Sequence, residues 1–163
     1  TESVINFALA QIEVGSPMIG AGDATASMIS PDLYRDFALP YEKKVVDTIH
    51  DAGGLVKLHI CGNTTFLLQD MVFTGADLFN VDHLVSFSQA CKIYGGNDIC
   101  FKGNLDPVAE MMQASPQECE QSCFKRLKQV TNLKYMLSAG CEVPAGTSDE
   151  VFEIFCRAPQ RFE

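Results

Sequence analysis

His59 and Cys61 stand two residues apart in the stretch LHIC, so in an extended chain both side chains leave the same face. Far along the sequence a second cysteine, Cys141, follows a glycine and precedes Glu-Val-Pro in SAGCEVP. An imidazole and two thiolates make a soft donor set that suits zinc. Three protein donors also leave a fourth position open, which distinguishes a catalytic zinc from a structural one. Taken singly, each residue has a plainer reading. A lone His-x-Cys is a short pattern, and cysteine is a common small core filler. The chemistry therefore depends on whether the fold brings the two segments to one place.

Hydrophobic periodicity predicts helices over 2–14, 31–52, 64–73, 86–94, 106–112, 116–130 and 148–158. Between them it predicts strands over 16–23, 54–61, 77–82, 98–104 and 135–140. Ser30 is the expected N-cap of the helix opening at Pro31. Ser115-Pro116-Gln117-Glu118 and Thr147-Ser148-Asp149-Glu150 both have the form of a capping box. Strands alternating with helices imply parallel pairing through right-handed crossovers, an α/β fold. The strand around LVKLHIC is apolar on one face (Val56, Leu58, Ile60) and polar on the other (Lys57, His59, Cys61). A strand of a doubly wound sheet is covered on both faces, whereas one lining the mouth of a barrel turns polar towards its C-terminal end. LFNVDH repeats the pattern, with Phe79 and Val81 opposite Asn80 and Asp82. The expectation is a partial (β/α)8 TIM barrel of about five parallel strands with helices. All strands of such a barrel end at one mouth, so His59, Cys61 and Cys141 can converge there. A whole barrel takes about 250 residues, so a missing N-terminal half, self-association or both is expected.

Composition narrows the classes further. The 163 residues are 47% hydrophobic with a formal net charge of −9, which fits a globular chain and disfavours a phosphate backbone as partner. No apolar run is long enough to cross a bilayer. The opening TESVINFALAQIEVG reads as an amphipathic helix rather than a leader, and the missing initiator Met is expected of a processed product or an excised piece. Seven cysteines without a framework spacing imply reduced, cytoplasmic thiols. Cys91, Cys100, Cys119, Cys123 and Cys156 are expected to be fillers of core or surface.

The stretches GDATASMISPDLYRDFALPYEKKVVD, LHICGNT, TGADLFNVDH, FKGNLDP and LSAGCEVPAGTSDE carry a resemblance across nearly the whole chain. They are similar to the uroporphyrinogen decarboxylase superfamily, and within it to the methylcobamide:coenzyme M methyltransferases and related corrinoid-dependent methyltransferases. LHICG and AGCEVP resemble the His-x-Cys…Cys zinc motif of that branch and place the ligands on His59, Cys61 and Cys141. The resemblance implies the C-terminal part of a (β/α)8 barrel, its fourth to eighth strands. It also implies a zinc ion that binds the thiol substrate, and a methyl-corrinoid carried by a partner protein that docks over the mouth. The decarboxylases share GNLDP and the general layout, use no metal and lack the His/Cys/Cys set.

Polar residues at strand ends are candidates to surround such a site. Asp82, inward by alternation, can fill the open zinc position or hydrogen-bond His59 and fix its tautomer; its neighbour His83 is the alternative. Asp23 either faces the mouth or caps the 24–29 turn, and Asn104 and Asp106 of GNLDP either touch substrate or start a helix. Glu142 reads equally as a solvated loop charge, and His50 as a surface residue. Zinc-dependent methyl transfer is the leading expectation. A porphyrinogen-type decarboxylase would need arginines in its cleft, yet Arg35, Arg126, Arg157 and Arg161 fall on helices or in the tail. A non-catalytic partial-barrel module is the third reading.

Overall fold

A computed structural model describes residues 1–162, which divide into two compact units meeting at Phe79 and Asn80. Strand and helix alternate through both, as the periodicity implies, and the class is α/β.

The first unit contains α1 (Glu2–Glu13), β1 (Met18–Gly22), a 3-10 turn (Ala24–Met28), α2 (Pro31–Phe37), α3 (Leu39–Asp51), β2 (Leu55–His59) and α4 (Leu68–Val72). It ends in β3 (Leu78–Asn80), within which the boundary falls. β1 and β2 pair in parallel, with Met18 opposite Leu55 and Gly22 opposite His59. Val56, Leu58 and Ile60 are fully buried, with Val45, Val46 and Ile49 of α3 buried as well, while Lys57, His59 and Cys61 stay half-exposed. That is the one-sided alternation expected of β2. The single helix expected over 31–52 is two. The helix is interrupted at Ala38 (φ −114°, ψ −57°), two residues before Pro40, which has no N–H to bond the carbonyl four residues back. α3 stops where Gly53, at φ +81°, turns left-handed and lets the Gly54 N–H reach the Ile49 carbonyl at 3.0 Å. The helix expected over 64–73 shrinks to Leu68–Val72, since Thr64 to Leu67 form a turn.

The second unit contains α5 (Phe87–Gly96), β4 (Cys100–Leu105), a wide turn (Val108–Met112), α6 (Pro116–Gln129), β5 (Tyr135–Ala139) and α7 (Asp149–Arg161). β4 and β5 pair in parallel, Phe101 opposite Tyr135 and Leu105 opposite Ala139. Its core joins Leu105, Met111, Cys119, Cys123, Ala139, Val151 and Ala158, with Phe124, Leu137, Val143 and Phe155 packed around them. At the other end Phe101 stacks against Phe87, Tyr94 and Tyr135. The expected helix over 106–112 is a π-turn, with N–H groups of Met112 and Gln113 reaching carbonyls five residues back. Ser115 and Glu118 form the expected reciprocal capping box. The second expected box does not form. Ser148, not Thr147, is the N-cap, so the N3 position falls on Val151, which has no carboxylate to return the bond. α7 also runs through Pro159 to Arg161, although Pro159 has no N–H to give the carbonyl four residues back.

Candidate metal centre

In the first unit His59 is the last residue of β2 and Cys61 lies two beyond it. β1 holds that end of the strand, and the Asp23 N–H continues the pairing onto the His59 carbonyl at 3.1 Å. The other end is fixed by Asp77, whose carboxylate accepts from the Val56 N–H at 2.7 Å and meets His50 Nε2 at 2.9 Å. The expected surface histidine is therefore also a hydrogen-bond partner of Asp77. Both polar side chains at the C-terminal end remain half-exposed, and Cys61 Sγ lies 3.0 Å from His59 Nε2. Bonds of about 2.3 Å to sulfur and about 2.0 Å to nitrogen at a tetrahedral angle separate the two donors by about 3.5 Å. A small side-chain rotation spans that difference, so this pair fits a zinc ion. Nε2 would be the ligand nitrogen, leaving Nδ1 to carry the imidazole proton. Asp23, beside this strand end, caps the 3-10 turn, its Oδ1 accepting from the Ala26 N–H at 3.3 Å.

In the second unit Cys141 follows β5 and Gly140 directly, is half-buried and forms no disulfide. The Gly140 N–H donates to the Leu105 carbonyl at 2.8 Å, tying the end of β5 to the end of β4. A Cβ on Gly140 would lie 2.3 Å from the His83 backbone nitrogen, so only glycine permits this approach. Asp82 is 3% exposed, and its Oδ1 accepts from the Leu84 N–H at 2.9 Å, closing the loop after β3. His83 sits between two carboxylates, Nδ1 3.2 Å from Asp82 and Nε2 4.0 Å from Asp106. The nearer contact is short but not aligned as a hydrogen bond. Asn104 is buried, and its amide donates to the carbonyls of Asp82 at 3.2 Å and Val85 at 2.9 Å. Asp106 Oδ1 accepts from the N–H groups of Val108 and Ala109 at the start of the π-turn. Burial pulls the Asp106 carboxyl upward, but those two donors and the nearby His83 outweigh it and hold it below the usual range. Asp82, His83, Asn104 and Asp106 thus form one polar cluster at the C-terminal ends of β3 and β4.

Two groups of the interior escaped the sequence analysis. Arg126 is an inward residue of α6, donating from Nε to Asn104 Oδ1 at 3.1 Å and from its terminal nitrogen to Glu110 at 2.8 Å. The available signal was a charge on the apolar stripe of Cys119, Cys123 and Val130. Glu42 of α3 accepts from the Tyr34 hydroxyl at 2.5 Å, and burial, with Asp23 adding, pushes its carboxyl up to about 7 against that bond. Nothing in the spacing of the two residues announces this pair. Asp23 and Glu42 both line a cavity of about 450 Å³ in the first unit.

The chain matches known proteins over most of its length. The family model described as uroporphyrinogen decarboxylase (URO-D) covers residues 1–162. A methylcobamide:CoM methyltransferase MtbA of Methanosarcina mazei is 36% identical over 147 residues, 88% of this chain and 41% of that protein. The MtbA of Methanosarcina acetivorans is 35% identical over 145 residues, again 88% of this chain and 41% of the relative. A uroporphyrinogen decarboxylase of Prochlorococcus marinus is 29% identical over 157 residues, 94% of this chain and 43% of that enzyme. The chain thus spans less than half the length of the curated relatives it matches. Among solved structures, a methyltransferase from Methanosarcina mazei superimposes with a TM-score of 0.87 at 23% identity, covering 98% of this chain and 46% of that one. At that identity the likeness speaks for fold, and the fold is a partial TIM barrel of five parallel strands with helices. With the family model running from end to end and the barrel pattern beneath it, the chain belongs to the uroporphyrinogen decarboxylase (URO-D) family.

Proposed function

We propose that this chain is the C-terminal part of a zinc-dependent methyltransferase that moves a methyl group between a corrinoid protein and a thiol such as coenzyme M, or another acceptor. The metal ligands in this reading are His59, Cys61 and Cys141. The contact of His59 Nε2 with Cys61 Sγ at 3.0 Å carries it, since two soft donors side by side at a strand end are what zinc requires. The likeness of LHICG and AGCEVP to the family's His-x-Cys…Cys zinc motif adds Cys141 to that pair as the third ligand. The two MtbA proteins, whose name states a methylcobamide:CoM methyltransferase, are the relatives that support the reaction class.

Zinc, when bound, makes a coordinated thiol a thiolate at neutral pH, a competent nucleophile without a separate strong base. The residues of the chain set the conditions for this. Cys61 and Cys141 as thiolates with a neutral His59 balance the charge of the divalent ion. Three protein ligands leave one position for the acceptor. Asp82, His83, Asn104 and Asp106 line the approach in this reading, and Asp23 does so beside β2. The partners that follow are a corrinoid protein, a small thiol or other acceptor, and the remainder of the barrel or a second copy. A reduced, cytoplasmic setting suits cysteines that form no disulfide among the described residues.

A decarboxylase reading has support in the relatives of that name at 29–32% identity. The arginines argue against it. Arg35 is engaged by Asp32 and Asp70, Arg126 by Glu110, Arg157 by Glu153 and Arg161 by Glu120, which leaves them poorly placed to hold substrate carboxylates.

Zinc content tests the assignment. The purified chain should bind about one zinc ion, measured by elemental analysis after dialysis. Cys61→Ala and Cys141→Ala should lose most of it, while Cys119→Ala and the exposed Cys156→Ala should retain it. Equal zinc in all four variants would refute the ligand set, and a metal-free wild type would turn the balance to the decarboxylase or to a non-catalytic module.

A further inference from the structure

Resting on the zinc reading, we propose that the 3-10 turn Ala24–Met28 is the positioning device of the metal centre. Asp23 at its start and Ser27 near its end hold the two sides of the ligand arm His59-Ile60-Cys61, so that both donors are in place before an ion arrives. β2 ends at His59, and Cys61 lies beyond the last paired residue of the strand. Sheet pairing alone therefore fixes His59 and leaves the second donor on a loop. Yet Cys61 Sγ stands 3.0 Å from His59 Nε2, a separation that a slack loop would not keep.

Contacts within the first unit supply what the strand does not. On the near side the Asp23 N–H donates to the His59 carbonyl at 3.1 Å. Ile60, between the donors, is buried and anchors the arm from beneath. On the far side Gly62 lies against Ser27. A Cβ on Gly62 would come within 2.9 Å of Ser27 Oγ and 3.2 Å of Ser27 Cβ. Gly62 also has φ +94°, the left-handed conformation that turns the chain directly after Cys61. Both holding residues belong to one turn, so the stiffness of that turn sets the spacing of the donors. The Asp23 carbonyl and its Oδ1 both accept from the Ala26 N–H, each at 3.3 Å. The Ser27 hydroxyl donates to the Ala24 carbonyl at 3.0 Å, which keeps the surface met by Gly62 from rotating away. Ala26, between them, is buried. Neither Asp23 nor Ser27 gives an atom to the metal in this arrangement. Both act through the backbone of the residues that do, as partners behind metal ligands commonly act.

Competition of the full chain with a chromophoric chelator for zinc, and the visible absorption of the cobalt(II)-loaded chain, test this. The wild type should bind either ion and give the strong visible bands of tetrahedral cobalt. Asp23→Ala opens the turn, and Ser27→Gly removes both atoms that Gly62 meets. Each should weaken zinc binding about 10–100-fold and reduce the cobalt bands. Asp23→Asn, whose amide oxygen still accepts the Ala26 N–H, should keep the wild-type affinity. Ser30→Ala removes a cap of the same kind from α2, where Ser30 Oγ accepts from the Leu33 N–H at 3.3 Å. It should lower the urea midpoint of the metal-free chain comparably to Asp23→Ala, yet leave zinc affinity and the cobalt bands unchanged. Unchanged zinc affinity in Asp23→Ala or in Ser27→Gly, with a wild type that binds the ion, would overturn the proposal while leaving the zinc reading standing. An equal loss of affinity in Ser30→Ala or in Asp23→Asn would overturn it as well, by tracing the effect to general loosening or to the lost charge. A wild type that binds neither ion removes the zinc reading and the positioning role together.

Discussion

Glu42 makes stability depend on pH in an unusual direction. Its ordinary value is 4.5, and in the folded chain burial raises it to about 7. Below about pH 4.5 both states hold the proton and the group contributes nothing. Between 4.5 and 7 the unfolded chain ionises while the folded one does not, so stability falls as pH rises, and above 7 the loss is complete. The limit is about 3 kcal/mol, from 1.36 kcal/mol per unit. Glu42→Gln keeps an acceptor for Tyr34 and removes the ionisation. Urea unfolding should show the variant gaining on the wild type by about 1–3 kcal/mol between pH 5 and pH 8. Parallel profiles for the two proteins would mean that the carboxyl is not buried in its charged form. The same scale explains what the residues at strand ends do for the loop after β3. Asn104 holds both Asp82 and Val85 by their carbonyls and is itself held by Arg126, so His83 is carried on a tied backbone.

Among the elements, the closest tolerance is at the end of β5. A methyl group on Gly140 would overlap the His83 backbone, which is not a flexible chain end and cannot step aside. Gly140→Ala should therefore cost more than about 2 kcal/mol and shift the amide resonances of His83 and Leu84. Ser115→Ala should cost only about 1 kcal/mol, the value of an N-cap. If the two variants unfold at the same denaturant concentration, the close approach does not exist in solution. Elements of this kind divide the legible from the illegible. β2 could be read because its alternation is one-sided and begins from apolar residues that must be buried, and His59 and Cys61 came with it. The Ser115 box could be read because both of its bonds are local. The break at Ala38 was also local, but the apolar stripe of Val45, Val46 and Ile49 continues a helical period that outweighed the proline. Arg126, Glu110, Tyr34 and Glu42 were illegible for a different reason. Their partners lie on other elements or two turns away, and no periodicity marks a polar side chain that turns inward to a bond.

On the scale of the whole molecule, the chain spans less than half the length of its curated relatives and leaves several large apolar side chains exposed. Phe7 and Phe37 are 68% exposed, and Val4, Tyr41 and Met136 are each more than half exposed. Hydrophobic side chains scattered singly are normal, but large aromatics in such number favour association. The net charge of −9 acts against this, because copies of an acidic chain repel one another. The two effects respond oppositely to salt. At 10 mM ionic strength the repulsion reaches about 30 Å, and at 0.15 M it is confined to about 8 Å, whereas the apolar attraction is not screened. Sedimentation at micromolar concentration should therefore show a mean mass that rises from near 17.8 kDa towards larger species as salt increases. Phe7→Glu with Phe37→Glu should reduce that rise by removing apolar area and adding charge at once. A monodisperse monomer at every salt concentration would show that these surfaces need no partner, and would remove the argument for a second copy or a complementary part of the barrel.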